Sequence, residues 1–258
     1  MNRRAFCLGL AAQAGLCVGP SIAAPQPNDI MVAIANNVFA NLWSGQPTGI
    51  LVETIDIIVR RMGRKPVYIV MPPSEMSAAF ANGTIAINSV AVESSSNKDI
   101  YLFSDPIISE YNVVALRADQ SLNLSRLSDL YGLKLGGRTG YQYPLLDADP
   151  RIELQHFPQD GELIRNLIHK RIDAAVISAI SDVYKLRTEG VMSRIKLLSH
   201  SVGEVPLRAA LSPSVFSRED LDRFNALLFD LKKSMAWTNI LARNGMADLV
   251  VEWPIVAH

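Results

Sequence analysis

Gly49-Ile50-Leu51-Val52-Glu53-Thr54-Ile55-Asp56-Ile57-Ile58-Val59-Arg60-Arg61-Met62-Gly63, followed after Arg64-Lys65-Pro66 by Val67-Tyr68-Ile69-Val70, is the stretch that decides the fold class. Val52, Ile55, Ile58, Val59 and Met62 recur at helical spacing, and Gly63 stops the helix. Residues 67–70 are a short apolar run that reads as a strand, as does Ile30-Met31-Val32-Ala33-Ile34 upstream. Downstream, a second helix is expected from about 74 to 80, ended by Asn82-Gly83, and Ile85-Ala86-Ile87 reads as a third strand. Strands alternating with helices in this way predict an α/β fold with a mostly parallel sheet flanked by helices.

The pattern pauses at Tyr111-Asn112-Val113-Val114-Ala115-Leu116 and then restarts. A helical turn is expected at 124–130, a strand at 133–136, a helix at 161–170 and a buried strand at Ala174-Ala175-Val176-Ile177. Residues 207–211 read as a further strand and 218–242 as one long helical tail. Two similar halves joined by extended segments near 112 and 207 predict two lobes, one of residues 27–111 plus 207–258 and the other of 112–206. Small ligands commonly bind in a cleft of that kind.

Composition narrows the function. The 258-residue chain carries 25 Lys plus Arg against 25 Asp plus Glu and is 49% hydrophobic. That is too apolar for a disordered chain and too neutral for a nucleic-acid binder. Residues 1–23 have the three-part layout of a secretory signal. Arg3 and Arg4 form a basic tip, residues 5–19 are uncharged and apolar, and Pro20-Ser21-Ile22-Ala23 suits cleavage after Ala23. Fifteen apolar residues fall short of the roughly 20 needed to span a bilayer. The pair in Asn2-Arg3-Arg4-Ala5-Phe6 fits either the general or the twin-arginine route. Cleavage removes Arg3, Arg4 and both cysteines, Cys7 and Cys17, leaving 23 basic residues against all 25 acidic ones, a net charge of −2. The mature chain therefore has no thiol nucleophile and no disulfide. None of His156, His169, His200 and His258 has another His or Cys three to five residues away, so no zinc motif is present, and neither a metal nor a cofactor is expected.

Four short motifs then occur in order. Gly49-Ile50-Leu51-Val52-Glu53 opens the first helix, and Phe103-Ser104-Asp105-Pro106 follows the third strand. Leu127-Ser128-Asp129-Leu130-Tyr131-Gly132-Leu133-Lys134-Leu135-Gly136 precedes Gly140, and Arg171-Ile172-Asp173-Ala174-Ala175 closes the second lobe's long helix. Together they resemble the bacterial family 3 extracellular solute-binding proteins, the periplasmic receptors of amino-acid-type ABC transporters, over roughly residues 30–245. The resemblance implies the two-lobed periplasmic-binding-protein fold with two crossing hinge segments, a small-molecule ligand and a permease partner. It also implies a periplasmic monomer that is not membrane-embedded once the signal is removed.

The residues themselves suggest where a ligand would sit. Arg138-Thr139-Gly140-Tyr141-Gln142-Tyr143 follows a strand and is expected to open a helix, whose N-terminal amides would attract an acidic group. Gly140 would admit close backbone approach, Arg138 would add charge, and Tyr141 or Tyr143 would cover the cleft. The resemblance implies ligand contact at Ser89 and Ala91, just past the third strand. Phe39 and Trp43 could stack on an apolar ligand part. Two departures from the family pattern stand out. The arginine that clamps an α-carboxylate is replaced by Asn97, beside Lys98, and the acid that pairs with an α-ammonium is replaced by Ser178, one helical turn before Asp182. The expected function is capture of a small polar or anionic metabolite for a permease. The alternatives are an exported accessory or sensor protein and, less favoured, a dehydratase-like enzyme using Glu53, Glu93 or Asp182. No nucleophile–base pair is present, so no enzymatic activity is expected.

Overall fold

The computed structural model describes residues 28–36, 46–94 and 96–257. The expected signal at 1–23, with Phe39 and Trp43, lies outside these residues.

Strand β1 (Asp29–Ala35) is buried along most of its length and leads toward helix α1 (Ile50–Arg61). Ile50, Leu51, Val52, Ile55, Ile58 and Val59 form the buried stripe of α1. Glu53 lies in its first turn and Arg60 and Arg61 in its last, each complementing the helix dipole. Gly63, at φ +79°, takes the left-handed conformation that ends the helix. Strand β2 (Lys65–Met71) then pairs in parallel with β1. Helix α2 (Pro73–Ala81) leads to β3 (Ile87–Ala91), parallel to the other side of β1. The third strand thus lies further along than the apolar triplet 85–87 predicts. Ile85 and Ala86 are buried, but only as the approach to the ladder.

After the two-residue strand β4 (Leu102–Phe103), strand β5 (Ile108–Arg117) leaves this lobe and enters the second. There β6 (Leu135–Arg138), the short helix α3 (Pro144–Asp147), β7 (Leu154–Phe157), α4 (Asp160–Ile168), β8 (Ala174–Ser178) and α5 (Ser181–Thr188) follow. Strand β9 (Ile195–Leu211) returns, and α6 (Arg218–Lys232) and α7 (Met235–Arg243) complete the described helices. The strand order is β2-β1-β3-β9-β5-β8-β6-β7, with β4 paired to β9. Each lobe therefore has three mutually parallel strands, and the antiparallel pair β5–β9 joins the lobes.

The second half departs from expectation in four places. The strand expected at 133–136 lies at 135–138. The helix expected to begin within 138–143 begins only at Pro144 and lasts four residues. Residues 207–211 are the end of a 17-residue strand. The tail expected as one helix breaks at Ser234, whose hydroxyl donates to the Leu231 carbonyl at 2.7 Å and caps the first helix as the second starts. Residues 254–257, assigned by sequence to the first lobe, cross to the second. Ser201 donates its amide to the Pro254 carbonyl at 2.8 Å, Leu127 donates to Ala257 at 3.0 Å, and Val256 is buried in the second lobe's core.

Candidate functional site

Between the lobes lies a cavity of about 440 Å3. Its lining follows from strand geometry. Alternate residues of a strand face opposite sides, so Asn88 and Val90 of β3 face the cavity. Ser89, between them, is 1% exposed and turned into the lobe. Ala91 joins the lining past an irregularity in the β3–β9 register. Of the two positions expected on this strand, Ala91 is brought to the cleft and Ser89 is not. Sequence reasoning missed Asn88, because the strand was placed too early. Met76 and Ser77 of α2 complete this wall, and the crossing strands contribute Glu110, Asn112, Val205 and Leu207.

The opposite wall comes from Gly140, Tyr141, Gln142 and Ser178. Gly140 has φ +83°, which only glycine adopts without strain, and no atom approaches the place of a Cβ. Asn112 donates to the Gln142 carbonyl at 3.0 Å and so ties this loop to the hinge strand. The loop offers fewer free amides than expected. Arg138 donates its amide to the Tyr143 hydroxyl (2.6 Å), Thr139 to Phe157 (2.9 Å) and Tyr141 to Arg138 (3.4 Å). With the next helix starting at Pro144, residues 138–143 do not form a helix N-terminus. Tyr143 is 1% exposed and serves the core rather than covering the cleft. Arg138 lies outside the lining, with its guanidinium 5.3 Å from the centre of the Tyr141 ring. Burial, with the charge of Asp182, pushes the Tyr141 hydroxyl well above the usual tyrosine range.

The positions that depart from the family clamp are occupied structurally. Asn97 accepts the Ser94 amide at 2.7 Å and donates to the Val92 carbonyl at 3.0 Å, bracing the loop beyond β3. Lys98 is exposed and borders a separate depression with Glu93 and Arg208. Arg208 donates to the Ser104 carbonyl at 2.7 Å and lies 3.6 Å from Glu93. The Phe-Ser-Asp-Pro motif thus fastens the returning strand, because Ser104 also accepts the Ala209 amide at 3.0 Å. Glu53 joins two helices, accepting from Arg243 at 2.6 Å and Asn244 at 2.9 Å. None of these acids stands in the cleft beside a nucleophile.

Ser178 and Asp182 lead to a further residue that sequence reasoning missed. Asp182 accepts the Ser178 amide at 2.8 Å and is buried behind the turn, outside the lining. The Ser178 hydroxyl donates to the carboxylate of Glu110, as does that of Ser181. The Ile180 amide adds a third bond at 3.3 Å, while the Ser181 amide donates to the Ser178 hydroxyl at 2.9 Å. Glu110 is 6% exposed yet lines the cavity. Its burial raises its pKa against the opposing effect of its hydrogen bonds. Burial raises Asp182 to about 6, with a contribution from Glu110. The available signal was one acid inside an apolar run, in Ile107-Ile108-Ser109-Glu110-Tyr111-Asn112-Val113-Val114. Among the described residues no cluster of His, Cys, Asp and Glu is arranged to hold a metal, and no helix is long and apolar enough to cross a membrane.

Two lobes, two crossing strands and a polar-floored cleft set the comparison with known proteins. Residues 30–246 match the model of the bacterial extracellular solute-binding proteins, family 3. The chain belongs to that family. No curated protein sequence matches it. Among solved structures, the family 3 chain is similar to the B. pertussis BvgS periplasmic domain, with TM-score 0.72 and 13% identity over 86% of this chain and 44% of that one. It is also similar to a histidine kinase sensor domain, with TM-score 0.64 and 21% identity over 83% and 95% of the two chains. A truncated ArgBP from T. maritima in its arginine-bound form aligns with TM-score 0.58 and 17% identity, over 80% and 97%. At these identities the likeness establishes the two-lobed fold.

Proposed function

We propose that this family 3 protein is an exported receptor that closes its two lobes over one small polar metabolite of amino-acid size and delivers it to an ABC permease. The observation that carries the reading is the cavity of about 440 Å3 between the lobes, with apolar walls and a few converging polar groups on its hinge side. Membership of a solute-binding family supports it, as does the arginine carried by ArgBP in the same fold. In this reading the lobes divide at 111/112 and 206/207, residues 254–257 are seated on the second lobe, and the protein acts as a monomer without enzymatic activity.

A thermal-shift screen of the mature protein, residues 24–258, tests the proposal. A solute that binds only the native state stabilises it, by about 2.7 kcal/mol at a concentration 100-fold above its dissociation constant. The expected result is a dose-dependent rise in melting temperature with one chemical class among amino acids, amines, organic acids and sugars. No shift with any of them would contradict the receptor role. The permease step is tested separately by co-purification with the membrane complex: a solute-binding protein that never associates with one would instead fit a sensory or accessory role.

A further inference from the structure

We propose that the rear of the hinge carries a second binding site, for a small primary amine in its ammonium form, with Glu204, Glu252 and the Tyr111 hydroxyl as acceptors. The site is separate from the cleft and does not rest on the reading of the cleft as a solute site.

Alternate residues of a strand face opposite sides. Glu110 and Asn112 of β5, with Val205 and Leu207 of β9, face the cleft. Ser109 and Tyr111 of β5, with Glu204 of β9, instead line a depression of about 280 Å3 behind the crossing strands. Tyr111 and Glu204 stand directly opposite each other in the antiparallel register, which makes their side chains neighbours on that face. Glu252 reaches the same depression from the C-terminal segment, and Trp237 reaches it from α7.

The polar groups there are unmatched. Tyr111 is 8% exposed, yet its hydroxyl has no hydrogen-bond partner among the described residues. Neither the Glu204 nor the Glu252 carboxylate has an ion pair or hydrogen bond among them. Burial, with the charges of Glu204 and Glu252, raises the Tyr111 pKa, so both acids act at the same hydroxyl. Lys232 also borders the depression, but its ammonium donates to the Pro106 carbonyl at 2.6 Å and responds to Asp105 rather than to either glutamate.

Three acceptors around one space match the three donors of a primary ammonium. An anion would meet two like charges, and two carboxylates fall short of a metal-holding cluster. Ile107, Ile108, Val250 and Trp237 offer apolar surface to an alkyl chain. The expected ligand is therefore a short alkylamine, which is ionised at neutral pH.

The test titrates the mature protein at low ionic strength with n-butylammonium, tetramethylammonium, n-butanol and Ca2+. The readout is the indole N–H signal of Trp237 in two-dimensional NMR, assigned with Trp237→Phe. n-Butylammonium is expected to move that signal saturably. Tetramethylammonium has the charge without the donors and should bind about threefold or more weakly, and n-butanol should leave the signal in place. The double variant Glu204→Gln/Glu252→Gln should bind n-butylammonium about tenfold or more weakly, and Tyr111→Phe about threefold. Ala91→Trp, which fills the cleft, should keep the binding. If the double variant fails to fold, Tyr111→Phe and the comparison of the two ammonium ions on wild type carry the test. A Trp237 signal indifferent to n-butylammonium, equal affinity in the glutamine variant, or equal affinity for tetramethylammonium overturns the inference. Displacement of the amine by Ca2+ overturns it in favour of a cation site of another class. Loss of binding in Ala91→Trp overturns it by placing the amine in the cleft, and leaves the receptor role standing.

Discussion

Asp182 is buried behind the β8–α5 turn with its carboxylate on the Ser178 amide, and desolvation lifts its pKa to about 6. The folded state therefore favours the protonated acid relative to the unfolded chain, whose aspartates ionise near 3.8. The stability gained from protonation is fully present below that lower value and is lost as pH rises through about 6. At neutral pH the ionised carboxylate costs on the order of 2–3 kcal/mol. Asn can accept the same amide, so Asp182→Asn is expected to raise the melting temperature at pH 7.5, with the gain shrinking toward pH 5. A gain independent of pH, measured by calorimetry, would show that desolvation of the charge is not the cause. The residue scale is also where the sequence was least legible. Asn97 and Ser178 could be recognised as departures from a pattern, but not as a loop brace and as a donor to Glu110. Glu110 looked like any acid, because a carboxylate's burial is decided by strands distant in the chain. Ser89, expected just past the third strand, lies within it instead, on the face turned into the lobe.

At the scale of elements, the helices with a strong apolar stripe were legible and the strand limits were not. The stripe of α1 matches its spacing in the sequence. Ile85 and Ala86 are as buried as strand residues, so an apolar run could not show where the ladder begins. β9 runs through Gly203 and Pro206, with Pro206 opposite Ser109 in the crossing pair. In β6, a Cβ on Gly137 would lie 2.5 Å from Leu154 Cδ2 and 3.0 Å from the ring of Tyr143, which is fixed by its bond to Arg138. Gly137→Ala is thus expected to destabilise the protein by about 1–3 kcal/mol in urea unfolding, and no loss would mean that the second lobe repacks freely. The N-terminus of α6 offers a contrasting case. Ser217 and Asp220 form a reciprocal capping box at 3.0 and 2.9 Å, so Ser217→Ala should cost about 1 kcal/mol by the same measurement. An unchanged midpoint would argue that solvent replaces the cap.

At the scale of the whole molecule, the two lobes were legible from the restart of the α/β pattern, whereas the return of the C-terminus was not. Residues 254–257 carry no regular pattern, and their place is set by the Ser201 and Leu127 partners and by the pocket for Val256. They form a third link beside β5 and β9. Truncation after residue 253 uncovers the second lobe's core and is expected to lower stability by roughly 2–4 kcal/mol, from the lost valine burial and hydrogen bonds. An unchanged unfolding midpoint would show that the tail adds nothing.

Closure of the lobes over a solute is the central claim, since a two-lobed receptor works by shifting its population toward a closed state. Small-angle X-ray scattering of the mature protein, alone and saturated with the compound that gives the largest thermal shift, measures it directly. The predicted result is a smaller radius of gyration with ligand, reversed on dialysis. An identical scattering profile in both states, despite saturation, would contradict the account.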